Sequence, residues 1–253
     1  MSNLIVSQIN GGPTGVINAI INGNFAVNQR AVSGTVTLAA GAYGHDRWKA
    51  GASGCTYTFA TSANVTTLTI SAGSLIQVIE GLNLGSGTYT LSFSGTAQGK
   101  IGAGSFSGSG VTGAAVGGTN LNIEFNTGTL SLVQFEQGST ATPFERRPYG
   151  TELALCQRYF LLGPSGAAGR WNSSTAAEVA YSFRVEMRAA PTVTHLANYS
   201  APNAGVANIT VTATSISDTS NTMGTLLNLT GSGASAGGIC IVRGNGAGFS
   251  AEL

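Results

Sequence analysis

Gln134-Phe-Glu-Gln-Gly-Ser-Thr-Ala-Thr-Pro-Phe-Glu-Arg-Arg-Pro-Tyr-Gly-Thr-Glu-Leu-Ala-Leu-Cys-Gln-Arg-Tyr-Phe160 divides the chain. On either side lie long tracts of Gly, Ser, Thr and Ala with short apolar pulses and almost no charge. Inside it fall six of the twenty-one formal charges (Glu136, Glu145, Arg146, Arg147, Glu152 and Arg158) and two of the six prolines. That pattern predicts a stiffened, charged coupling between two β-domains. Phe135 belongs to the last strand of the first domain, and Pro143 and Pro148 restrict the exit. Glu145, Arg146, Arg147, Glu152 and Arg158 are expected to form inter-domain or inter-subunit salt links. Thr151 can cap a helical turn through Leu155 that buries Leu153 and Cys156.

Working outward, the apolar residues recur with a period of two. Upstream, Cys55, Tyr57 and Phe59 alternate with Thr56, Thr58 and Ala60, and Tyr89, Leu91 and Phe93 alternate with threonines and serine. Leu75–Ile79, Leu121–Phe125 and Leu130–Phe135 repeat the signal, while Ile21–Phe25 and Asp46–Ala50 are read as strand starts. Lys100 to Thr119 is a loop or a weak hairpin. Downstream, Glu178 to Arg188 is the best strand, with Val179, Tyr181, Phe183, Val185 and Met187 on one face. Ile209–Val211, Leu226–Leu229 and Ile239–Val242 follow. Many short strands with Gly- and Ser-rich turns define an all-β chain. The expected organisation is an N-terminal attachment arm over 1–20 and a jelly-roll β-sandwich over 21–149. A connecting segment with a short helix then spans 150–165, and a smaller C-terminal β-sandwich spans 166–253. Thin apolar content in the last part predicts assembly with copies of itself, as a homotrimer.

Composition narrows the function classes. Charged residues are 8% of 253, against about 25% in an ordinary soluble domain, which suits a part built into an assembly. Nine arginines and two lysines are scattered, so no basic patch marks a nucleic-acid partner. No run of eighteen apolar residues predicts membrane insertion, and no secretory signal is visible at Met1. Cys55, Cys156 and Cys240 fit neither a disulfide framework nor a zinc cluster and are expected as buried thiols of a protein made in a reducing cytosol.

Gly108-Ser-Gly-Val-Thr-Gly113 lacks the strand and helix a dinucleotide site needs. Gly233-Ala-Ser-Ala-Gly237 resembles a nucleophile elbow, but both histidines, His45 and His195, precede Ser235. No cofactor is expected. A structural calcium ion would have to use carboxylates such as Glu124 and Glu136, read as lying on neighbouring strands, with surface ion pairs the competing account. Tyr43, Trp48, Trp171 and Tyr199 lie near loops and are the candidates for stacking on a sugar ring, each weighed against a place in the core.

Ile21-Asn-Gly-Asn-Phe25, His45-Asp-Arg-Trp48, the run Val133 to Pro148, and Glu152-Leu-Ala-Leu-Cys-Gln-Arg-Tyr159, in this order, resemble a family of bacteriophage and prophage tail-fibre proteins. Glu186-Met-Arg-Ala-Ala-Pro-Thr-Val193 and the terminal Phe249-Ser-Ala-Glu-Leu253 look like that family's C-terminal module. The family often reads Asp-Ile-Trp-Gln-Arg where this chain has Ala26-Val-Asn-Gln-Arg30. The resemblance implies a non-enzymatic virion protein with a jelly roll similar to carbohydrate-binding modules. Such a fibre attaches to the particle through residues 1–20, contacts host surface polysaccharide, and is made in the host cytoplasm for the virion. A capsid-mounted fibre or passive connector is the alternative, and a glycan depolymerase, needing paired acids, the third reading.

Overall fold

The computed structural model describes residues 18–203 and 208–253. The expected arm, apart from its last three residues, lies outside the described part. The chain is all-β, with one α-helix among the described residues, and divides into two compact units. The first holds Val32–Arg147 with the residues up to Ala26; the second holds Pro148–Leu253 with Val27–Ala31.

The first unit contains β1 (Val36–Leu38), β2 (Lys49–Ser62), β3 (Val65–Ile79), β4 (Gly87–Ser94), β5 (Gly99–Ile101), β6 (Val111–Ala115), β7 (Leu121–Phe125) and β8 (Gly128–Gln137). All pairings are antiparallel, and the path runs β1-β2-β3-β8-β4-β6, with β7 joining β3 to β5. β8 is the strand that makes this a sandwich. Gly128–Leu130 pairs with β3, whereas Ser131–Gln137 pairs with β4. The change of partner falls between Leu130 and Ser131, and Leu132 just beyond it has a φ of 50°, so the strand turns a corner there and serves both layers. Leu130, Val133 and Phe135 are fully buried on it, and Phe135 stacks on Tyr89 with ring centroids 4.8 Å apart. Trp48, Tyr57, Leu68, Leu91 and Phe125 complete the same core.

The second unit opens with α1 (Tyr149–Gln157). Its strands are β9 (Phe160–Gly163), β10 (Ala168–Trp171), β11 (Ala176–Ser182), β12 (Thr192–His195), β13 (Tyr199–Ser200), β14 (Thr210–Val211), β15 (Ala213–Ser220), β16 (Gly224–Thr230), β17 (Ile239–Ile241) and β18 (Ala247–Ser250). A five-stranded sheet of order β15-β16-β11-β10-β17 and a three-stranded sheet of order β12-β18-β9 share one core. Across it Tyr181 stacks on Phe249 at 5.2 Å.

Several expectations change. Ile21–Phe25 is a turn, not a strand, with Asn22 and Phe25 in left-handed backbone at φ 58° and 54°. The strand expected through Arg188 ends at Ser182, because Ser182 already opposes Gly224, the first residue of β16, and no partner strand remains. Beyond it Phe183 and Met187 stay buried, their N–H groups donating to Met223 and Thr222 at the hairpin tip. In segment 150–165, expected as a connecting segment with a short helix, α1 and β9 fall within the second unit, and β9 pairs with β18. Thr151 does not cap α1. The helix follows Pro148, whose carbonyl accepts from the Thr151 and Glu152 N–H groups, and it buries Glu152 with Cys156 while Leu153 is half-buried. Lys100 to Thr119, the loop or weak hairpin, contains the end of β5 and all of β6, which pair with β7 and β4 respectively.

The long β2–β3 hairpin carries a bulge where Gly54 and Gly73 meet, both at positive φ. A Cβ on Gly73 would stand 2.0 Å from the Gly54 carbonyl oxygen. Gly73→Ala is therefore expected to cost roughly 2–4 kcal/mol in urea unfolding. Gly34→Ala, at φ 62° in open space, should cost only about 1 kcal/mol.

Candidate functional site

The densest polar arrangement in the first unit lies on the inner end of β8, and it is assembled from four separate stretches of sequence. Asn18 supplies its centre. The side-chain N–H of Asn18 donates to the Val133 carbonyl at 3.0 Å. Its Oδ1 accepts from the N–H groups of Ile20 and Phe135 at 2.9 and 3.0 Å. The Ala19 N–H then donates to the Phe135 carbonyl, so residues 18–20 lie along β8 as an added strand would. Glu145 closes the network from outside, its Oε2 accepting the Asn18 N–H at 2.8 Å. Arg147 donates to the carbonyls of Asn18 and Ile20 and lies 3.5 Å from Glu145.

One turn further, Gln77 on β3 pairs with the backbone of Ile21 in both directions, at 2.8 and 2.7 Å. Gly23 passes against β8, where its carbonyl accepts from Val133 and where a Cβ would stand 2.2 Å from the Val133 oxygen. Asn22 donates to the Asp46 carbonyl, and the Trp48 indole N–H donates to the Asn22 carbonyl, both at 3.0 Å. Buried Arg47 donates to the Val78 carbonyl at 2.7 Å. Gln134 and Glu136, which point away from Phe135, close the loop after β8: Gln134 donates to Glu136, Glu136 accepts from Thr142, and Gln134 accepts the Glu145 N–H at 2.7 Å.

The chemistry of this network is structural. Buried amides and a guanidinium satisfy backbone groups that a turn leaves without ladder partners. Glu145 and Arg147, expected as links between domains or subunits, make these bonds within the first unit. Arg146, in the same triplet, donates to the Asn64 carbonyl at 3.5 Å and stands over Phe144. Glu152 is buried in α1. Arg158 ends that helix, and its carbonyl accepts the Arg188 N–H at 2.8 Å.

A second cluster sits within the second unit. The Arg30 guanidinium lies 3.7 Å from the Phe160 ring centroid and 3.2 Å from a Glu252 oxygen. Gln29 donates to the Phe160 carbonyl, and Arg188 donates to the carbonyls of Ala251 and Glu252. The Asn-Gln-Arg run and the terminal Ala-Glu-Leu, distant in sequence, thus meet in one place.

The four aromatic candidates for sugar stacking are not gathered. Trp48 and Trp171 are both 0% exposed, and Tyr199 is buried with its hydroxyl 2.6 Å from Thr214. Burial pushes the Tyr199 phenol up to about 12. The exposed-loop account of Trp171 gives way to a core one, because its alternation on β10 turns it under the sheet. A cavity of about 240 Å³ bordered by Arg170, Trp171, Asn172 and Gly237 does not offer that ring for stacking, since none of the residue reaches solvent. Tyr43 alone of the four is partly exposed, its ring 6.0 Å from the Lys49 ammonium.

Glu124 and Glu136 do not lie on neighbouring strands, since β7 pairs with β3 and β5 while β8 pairs with β3 and β4. Glu124 accepts from Ser74 at 2.6 Å and pairs with Lys100 at 2.8 Å. Among the described residues no cluster of three His, Cys, Asp or Glu side chains forms a metal cage, and no helix is long and apolar enough to cross a membrane. The three cysteines are buried and unbridged, and desolvation raises Cys55 and Cys240 to about 11. No family model, curated protein or solved structure matches the chain.

Asn18→Ala is expected to leave the Ile20 and Phe135 donors and the Val133 acceptor without partners inside the fold, lowering unfolding free energy by roughly 2–4 kcal/mol. His45 gives a second test. It is buried against Tyr57, Nδ1 to hydroxyl 2.9 Å, and desolvation lowers its pKa from 6.5 to about 4. Between those values the unfolded chain binds a proton that the folded chain excludes. Stability therefore falls as pH drops from about 6.5 toward 4, by on the order of 2–3 kcal/mol. The dependence should be visibly shallower in His45→Gln, measured by urea unfolding at pH 7.5 and 4.5.

Proposed function

We propose that this chain is a building part of a bacteriophage particle, a fibre component that assembles with copies of itself as a trimer and is held to the particle through residues 1–20. The observation that carries the reading is the convergence of the resemblance motifs. Asn-Gly-Asn-Phe, His-Asp-Arg-Trp and the run from Gln134 to Arg147 meet in one hydrogen-bonded network around β8. Short motifs that recur in order and meet in space are what a shared architecture requires. The low charge of the chain supports the same assignment, because a permanently assembled part does not need electrostatic repulsion to stay dispersed.

Within that reading the structural role gains ground over glycan adhesion. A sugar platform needs an exposed ring, and Trp48, Trp171 and Tyr199 are withdrawn into the cores. Host polysaccharide contact, if it belongs to this chain, falls to Tyr43 and its surroundings. The test is immunogold labelling of purified particles, together with binding of fluorescent protein to host cells. Gold at a fixed place on the particle is the expected result. Particles without label would overturn the assignment. Cell binding abolished by Tyr43→Ala would restore the adhesive role.

A further inference from the structure

The outer face of the five-stranded sheet in the second unit combines exposed apolar side chains with two charges of opposite sign that do not pair with each other. Residues directly opposite on antiparallel strands project to the same side. Register therefore places Ile241, Ala168, Ala180 and Leu226 in one row across β17, β10, β11 and β16. Their neighbours along each strand, among them Val179, Leu227 and Cys240, are buried on the inner face. Ile241 is 49% exposed, and Ile239, two residues away on the same side, is 60% exposed. Alanines at the middle of the row leave the centre of the face flat, with aliphatic side chains raised at each end.

The adjacent row holds the charges. Arg170 and Glu178 oppose each other in register, yet they form no ion pair: Arg170 Nε donates to Asn172 at 3.1 Å, and Glu178 accepts from Ser217 at 2.9 Å. In a chain with 8% charged residues, one cation and one anion beside an apolar row make the face its own electrostatic complement. A rotated copy sets Arg170 of one protomer against Glu178 of the next while the aliphatic rows close over each other. A polyanion or an anionic surface would gain from one charge and be repelled by the other. A glycan would find no aromatic ring here.

We propose that this face, centred on Ala168 and Ala180, is the surface on which a second copy of this chain docks, with Arg170 pairing to Glu178 across the contact. The inference deepens the self-assembly part of the proposed function and is independent of where in a particle the chain resides. Ala180 points outward from a central strand, so Ala180→Arg should fold while holding two faces apart.

Sedimentation velocity on the full chain is the test. The wild type should sediment as an oligomer and Ala180→Arg as a monomer with an unchanged far-ultraviolet circular dichroism spectrum. If Ala180→Arg fails to fold, Leu226→Ser at the edge of the row replaces it, with at least about tenfold weaker association expected. Arg170→Glu and Glu178→Arg should each dissociate the assembly, and the double variant carrying both should associate again, since opposite charges then meet at every contact. A monomeric wild type overturns the self-assembly and this face together, leaving the particle assignment to its own labelling test. An oligomeric wild type whose Ala180→Arg and Leu226→Ser variants associate normally overturns the face alone. A double charge-swap variant that stays monomeric overturns the Arg170–Glu178 contact.

Discussion

One carboxamide holds the first unit together. The Asn18 side chain offers an N–H and a carbonyl in the spacing of a peptide group, and β8 accepts it as one. Through that substitution a stretch with no strand of its own is bound to the strand that both layers share. Around it the guanidinium of Arg147 and the carboxylate of Glu145 occupy the backbone groups of Asn18 and Ile20 that remain. The charges are worth more here than on an open surface. The Arg147 side chain is only 6% exposed against 28% for Glu145, so the guanidinium end of the contact is the poorly screened one.

β8 carries a heavier constraint than any other strand. It pairs with β3 over its first residues and with β4 over the rest, so its break at Leu132 determines how the layers meet. The polar network lies just past that break, on Val133 to Glu136. Corner and network are one device: the left-handed residue turns the strand, and Asn18, Gly23 and Gln134 then satisfy the backbone and side chains around the turn. Local geometry leaves few alternatives at this point. Gly23 cannot carry a Cβ against the Val133 carbonyl, and Trp48 must present its indole N–H to the Asn22 carbonyl.

The all-β class was legible because it rests on a two-residue period that survives in nearly every strand, from Tyr57 to Leu229. The coupling stretch was legible as a boundary, since the division falls between Arg147 and Pro148. Its long-range partners were not legible. Charges gathered in a hinge suggest links between bodies, but Glu145 and Arg147 turn back to a partner 127 and 129 residues earlier in sequence. No local pattern reports such a pairing. The same limit hides the meeting of Arg30 with Glu252, separated by 222 residues. Ile21–Phe25 read as a strand because apolar ends flank polar residues. Its left-handed backbone at Asn22 and Phe25 depends on the Gln77 and Val133 partners that only the fold supplies. Trp171 stood in a glycine-rich run that looked like a loop, yet one of its glycines, Gly169, allows β10 and β11 to approach.

The sealed thiols have a practical bearing. All three cysteines lie inside the cores, and two are held almost wholly protonated at neutral pH by desolvation. A folded chain of this kind passes between reducing and oxidising surroundings without cross-linking, because thiolate is the reacting species. It also presents a silent background to maleimide reagents. A single cysteine introduced at an exposed site such as Gly34 would take a probe alone, and the unmodified chain would serve as its own blank.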